Sequence, residues 1–147
     1  MPKGQSDRIR PIAVASSLSR VIGKIISRQL GPRIGAAVGP FQFLVGVPGG
    51  AETAVHAHEI WLDSHPDHIS VGQDARNAYN SMSRRQMASG VRRAFPELLP
   101  WFQLCYGQAS HLYYRRDDGT TSLIASTRGT RQGDPLGGLL YALGQHS

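Results

Sequence analysis

Two sets of side chains in this chain have the types and spacing for phosphate or metal chemistry. The first is Asp74 with Tyr79, within Ile69-Ser70-Val71-Gly72-Gln73-Asp74-Ala75-Arg76-Asn77-Ala78-Tyr79-Asn80. Ile69 and Val71 alternate with small or polar residues, a short strand pattern that ends at Asp74. A carboxylate at the tip of a buried strand is costly unless it is paired, hydrogen-bonded or bound to a cation. Tyr79, five residues on, offers a flat wall beside whatever Asp74 holds. A helix-capping Asp and a core Tyr would use the same residue types. The second set is Gly129-Thr130-Arg131-Gln132-Gly133-Asp134-Pro135-Leu136-Gly137, where glycines permit close backbone approach beside a guanidinium and an amide.

A rival set is His56 and His58 followed by Asp63-Ser64-His65-Pro66-Asp67-His68. Zinc takes imidazole and carboxylate ligands. The last six residues nearly spell the dizinc pattern His-x-His-x-Asp-His of metallo-β-lactamase-like hydrolases, with Asp63 where the first His should be. Those ligands should follow a strand, and here a helical segment precedes them. A polar loop accounts for the same residues, and a metal-dependent hydrolase using the His56–His68 cluster stands as an alternative. Asp117-Asp118 is an acidic pair, but Asp118-Gly119 is a common turn dipeptide.

The elements that must position these residues follow from periodicity. Ser16 or Ser17 caps a helix to about Leu30, with Leu18, Val21, Ile22, Ile25, Ile26 and Leu30 on one face. Gly31-Pro32 is expected to end it. Arg20, Lys24 and Arg28 form a second stripe at four-residue spacing. Gly39 to Gly50 is a Gly/Pro-rich loop without the Gly-Lys-Ser/Thr ending of a nucleotide P-loop. Glu52 to Ser64 is expected to be helical, with Val55, Ile60 and Leu62 partly inward. A helix over Ser83 to Phe95 turns Met87, Val91 and Ala94 in and Arg84, Arg85, Arg92 and Arg93 out. Pro96 opens another helix, in which Leu98, Leu99, Trp101, Phe102, Leu104 and Cys105 form core. Ser110 to Arg116 and Ser122 to Thr127 form a hairpin, and Asp134-Pro135 starts a last helix. The fold class is α+β, mostly helices with a small antiparallel sheet.

The chain has 147 residues, with 16 Lys and Arg against 10 Asp and Glu, a net charge of +6. That length suffices for one real core. Two basic blocks, up to Arg33 and from Arg76 onward, flank an acidic middle that runs from Glu52 to Asp74. Basic blocks attract phosphate backbones, although a solvated surface uses such runs too. Cys105 is the only cysteine, which suits a reducing, intracellular setting. No apolar run reaches the ~20 residues of a membrane-spanning helix.

Taken in order, Arg10-Pro11-Ile12-Ala13-Val14 with Lys3 before it, the Asp74–Tyr79 stretch and Arg131-Gln132-Gly133-Asp134-Pro135-Leu136-Gly137 resemble a reverse transcriptase of the non-LTR retrotransposon type. Phe41-Gln42 with Gly46-Val47-Pro48-Gly49-Gly50-Ala51-Glu52, Phe95-Pro96-Glu97-Leu98, Trp101 and Cys105-Tyr106-Gly107 resemble it too. The likeness implies the fingers and first part of the palm of a right-hand polymerase over residues 1–147. It implies an RNA template, a DNA primer and deoxynucleoside triphosphates as partners, and two Mg²⁺ ions as cofactor. Asp74 is implied to be a metal ligand, assisted by the carbonyl of Ala75. Tyr79 would lie beneath the nucleotide sugar and exclude a 2′ hydroxyl. Arg10 and, more loosely, Lys3 would reach the triphosphate. Gln132 and Gly133 would position the nascent base pair. Gln42, Arg20, Lys24, Arg28 and Arg131 would contact template or backbone. The family's paired aspartates come after the Arg-Gln-Gly segment and are not found before Ser147, nor is a thumb. The expectation is a polymerase fragment without activity of its own; a non-catalytic nucleic-acid-binding remnant of a retroelement is the other reading.

Overall fold

A computed structural model of the chain describes residues 13, 15–40, 42–43 and 45–146. Lys3 and Arg10, expected at the triphosphate, lie outside the described residues, as do Phe41 and Val14. The elements are α1 (Ser17–Val38), α2 (Gly50–Ser64), α3 (Ala78–Ser81), α4 (Arg84–Ala94), a 3₁₀ turn (Pro96–Leu98), α5 (Leu99–Tyr106), β1 (Ser110–Arg115), β2 (Thr121–Ser126) and α6 (Gly137–Gln145). The fold class is α+β, with one antiparallel hairpin as the sheet.

The start of α1 follows the expected cap: the Ser16 hydroxyl accepts the Ser19 N–H at 3.2 Å. Its end does not. The helix runs through Gly31 and Pro32 to Val38. Pro32 removes one backbone donor and costs about 3 kcal/mol in a helix interior. The extra turns bury Ile34 and Val38 at four-residue spacing from buried Leu30. Burying two such side chains is worth roughly 3–6 kcal/mol, so tertiary packing outweighs the proline. Pro32 itself is exposed. Pro32→Ala is therefore expected to raise stability by about 1–3 kcal/mol, read as a higher urea midpoint at unchanged slope.

The expected apolar face of α1 holds only in part. Ile26 packs against the core, but Leu18, Val21 and Ile25 are at least half exposed. Likewise Val55 and Ile60 of α2 are exposed, and so is Leu104 of α5. In each case the helical period is right but no neighbouring element covers that face among the described residues.

The core lies where α4 crosses α6, capped by α5 and the second half of α1. Met87, Val91 and Phe95 of α4 meet Leu139, Leu140, Ala142 and Leu143 of α6, with Leu98, Phe102, Tyr106 and Leu136 around them. The crossing is close because Gly90 has no side chain. A Cβ there would sit 2.3 Å from the Leu143 carbonyl oxygen.

The hairpin pairs as its pattern suggests, Leu112 opposite Ile124 and Tyr113 opposite Leu123. Asp118 belongs to its turn: its carboxylate accepts from the Thr120 N–H at 2.8 Å and hydroxyl at 2.6 Å. Those bonds hold Asp118 below the usual carboxylate range. The strand expected before Asp74 is absent. Ile69 and Val71 are 87% and 75% exposed, and residues 69–75 have no regular structure. A strand needs a partner's backbone, and the hairpin is the one sheet among the described residues.

Candidate functional site

The site is built on the bend Gly129–Leu136 between β2 and α6. Gly129 has φ +61°, a left-handed conformation that favours glycine. Its N–H donates to the Met82 carbonyl at 2.8 Å, and the Thr130 N–H donates to the Tyr79 carbonyl at 2.8 Å. These two bonds clamp the bend onto the backbone of α3. A chain segment fifty residues away is thereby fixed beside the ring of Tyr79.

Tyr79, Arg131, Gln132, Gly133, Asp134, Gly137 and Gly138 line one open cleft of about 380 Å³. Three of these seven residues are glycines. Gly133 has φ +95°, and a Cβ there would meet only the Ala13 carbonyl oxygen, at an ordinary 3.8 Å, among the described residues. Tyr79 is half exposed and packs its ring 5.1 Å from that of Tyr141. Gln132 and Arg131 form a ridge, for they also line a second cleft of about 300 Å³ against Leu112, Ile124 and Asn80. The ring of Tyr79 is the one aromatic surface in this lining.

The acid of the bend is committed to holding it. Asp134 accepts the Tyr106 hydroxyl and, at 2.9 Å, the Leu136 N–H. The Tyr106 oxygen in turn accepts the Arg131 N–H at 3.3 Å. Burial, reinforced by the Asp134 charge, raises the Tyr106 hydroxyl far above its ordinary pKa, so it stays a neutral donor. The helix after Asp134-Pro135 begins later than expected, at Gly137, because these bonds make a turn there first.

Arg84 and Arg131 both turn inward. Arg84, expected on the outer face of its helix, donates to the carbonyls of Gly129 (3.0 Å), Ser126 (2.9 Å), Gln108 (3.2 Å) and Arg128 (3.4 Å), and to the Ser126 hydroxyl at 2.8 Å. A guanidinium forks widely enough to collect several carbonyls at once. Burial is the main effect on Arg84, lowering its pKa from an ordinary value high enough to leave it charged. Arg131, expected to reach a template, donates to the Cys105 carbonyl at 3.0 Å. Sequence reasoning missed Arg84, Tyr106, Gly137 and Gly138. Tyr106 was legible only as part of Cys105-Tyr106-Gly107, and the glycine pair as two consecutive residues without side chains at a helix start.

Asp74 and Ala75 are exposed and are not among the residues lining either cleft. Gln42 is half-buried in the loop before α2 and lines neither. Arg20 shares a small pocket with Arg131, Asp134 and Pro135, and a groove of about 150 Å³ continues along Ser17, Arg20, Val21 and Lys24. Lys24 and Arg28 are exposed in line with Arg20. The basic stripe thus starts at the bend and runs along α1.

Among the described residues no group of three His, Cys, Asp or Glu is placed to hold a metal ion. Asp74 alone does not fit a two-ion magnesium site. In the rival histidine segment, His65 stacks on Trp61 with ring centres 4.5 Å apart, its Nδ1 2.8 Å from the Trp61 carbonyl oxygen. His68 meets both rings edge-on, and His56 contacts Glu59. These side chains form a surface aromatic cluster, which lends the hydrolase reading no support. No helix among the described residues is long and apolar enough to cross a membrane. Comparison with protein-family models, with curated proteins and with solved structures gave no match.

Proposed function

We propose that this chain is the fingers and first part of the palm of a non-LTR-type reverse transcriptase, and that by itself it binds an RNA–DNA hybrid without extending it. The observation that carries this reading is the meeting of Tyr79 with Arg131-Gln132-Gly133 around one cleft. These are two of the three stretches on which the resemblance rests, and nothing in their local sequence requires them to touch. The basic stripe that begins beside the same bend supports a polyanionic ligand. The absence of turnover follows from donor count. Two-metal phosphoryl transfer needs several hard oxygen ligands around the ions, and among the described residues no group of three such side chains joins the exposed Asp74.

The test uses a fluorescent DNA primer annealed to an RNA template. Binding that weakens steeply with salt, with no labelled nucleotide incorporated in Mg²⁺, is the expected result. No binding even at low salt would remove the nucleic-acid reading. Incorporation abolished by Asp74→Ala would remove the non-catalytic part.

A further inference from the structure

We infer that Tyr106 is a positioning residue for the Arg131-Gln132-Gly133 bend, setting the affinity of the cleft for nucleic acid without touching the ligand. The inference rests on the reading above that the bend faces a primed template. Tyr106 lines neither cleft and is only 3% exposed. Yet it is bonded to both ends of the bend. Its hydroxyl donates to the Asp134 carboxylate and accepts the Arg131 N–H at 3.3 Å. The guanidinium carbons of Arg84 and Arg131 lie over its ring, 5.2 and 5.5 Å from the centre. Arg84 holds the carbonyls of Gly129 and Arg128 from the outside.

The consequence is geometric. The Asp134 N–H donates back to the Arg131 carbonyl at 3.2 Å, so Gln132 and Gly133 are the two central residues of a closed turn. Both residues at the base of that turn are held by one hydroxyl. Gly133 holds a conformation few residues adopt, and among the described residues the one atom within 4 Å of where its Cβ would stand is the Ala13 carbonyl oxygen, at 3.8 Å. Remove the hydroxyl and the turn can open while the ring keeps its place in the core.

Tyr106→Phe separates these contributions, since the ring and its two cation contacts remain. At fixed salt we expect about a fivefold loss of affinity for the primed RNA–DNA hybrid. The slope against log salt should not change, because no phosphate contact is lost. In a Gln132→Ala background the same substitution should have no further effect, because Tyr106 acts through Gln132. Hydrogen exchange should speed up tenfold or more at the Arg131 and Leu136 amides, with those of Val91 and Leu140 unchanged. Asp134→Asn, which keeps an acceptor for Leu136 but weakens the bond to Tyr106, should fall between wild type and Tyr106→Phe.

The idea is overturned if Tyr106→Phe binds as tightly as wild type, or loses as much in the Gln132→Ala background. It is overturned equally if exchange rises uniformly, which would mark a general loosening of the core. Should the unmodified chain fail to bind the hybrid, the functional reading falls, and the exchange pattern still decides whether Tyr106 holds the bend.

Discussion

Gly129→Ala is expected to cost about 2–5 kcal/mol, a large share of the roughly 5–15 kcal/mol that holds a typical domain folded. Two effects add. A residue with a Cβ loses about 1–2 kcal/mol in the left-handed conformation that Gly129 adopts at φ +61°. The added carbon would also stand 2.1 Å from the Tyr79 carbonyl oxygen and 2.4 Å from the Asn80 carbonyl carbon. Both obstacles are backbone and cannot rotate away, so α3 and the bend must separate, and overpacking of this kind costs about 1–3 kcal/mol or more. Separation breaks the Thr130–Tyr79 and Gly129–Met82 hydrogen bonds that close the cleft. Gly119→Ala is the matched control. Gly119 has φ +82° and nothing within 4 Å of the added carbon, so it should lose only the conformational part, about 1 kcal/mol. Urea midpoints of the two variants decide it. Equal losses would mean that the close approach of the bend to Tyr79 does not organise the site.

The contrast between these glycines also marks what can be read in the chain before its structure. Local signals were legible. Ser16 caps α1, Asp118-Gly119 turns the hairpin, and the period of Met87 and Val91 faces α4 inward, each decided by residues within a few positions. Features that depend on distant partners were not. Gly31-Pro32 reads as a helix stop, because the burial of Ile34 and Val38 that outweighs it is tertiary. Ile69-Ser70-Val71 reads as a strand, because the alternation is correct, but no strand among the described residues pairs with it. Arg84 reads as a solvent-facing helix cation, because the carbonyls that draw it inward belong to residues more than twenty positions away. Of the expected site, Tyr79, Gln132 and Gly133 converge on one cleft. Asp74 stays outside its lining, and Arg131 spends its guanidinium on Cys105 and Tyr106.

The largest functional effect should come from α1. Arg20, Lys24 and Arg28 recur every four residues, about 6 Å apart along the helix axis, and all three are exposed. If they lie along a phosphate backbone, each contact releases a counterion and contributes about −0.9 to the slope of log affinity against log salt on a duplex. Converting all three to Gln should make the slope shallower by about 2–3 units. Extrapolated from 1 M salt, where such contacts count for nothing, that is roughly a 10²–10³-fold loss at 0.1 M. Folding should be unaffected, since none of the three belongs to the buried core. The alternative is that net charge alone attracts the polyanion. Arg92→Gln with Arg93→Gln distinguishes the two, because these exposed cations sit on α4 and line none of the clefts beside the bend. A path along α1 requires the α4 pair to change the slope by well under one unit. If the α4 pair flattens it in proportion to charge removed, the binding is diffuse and the stripe is simply a solvated helix face.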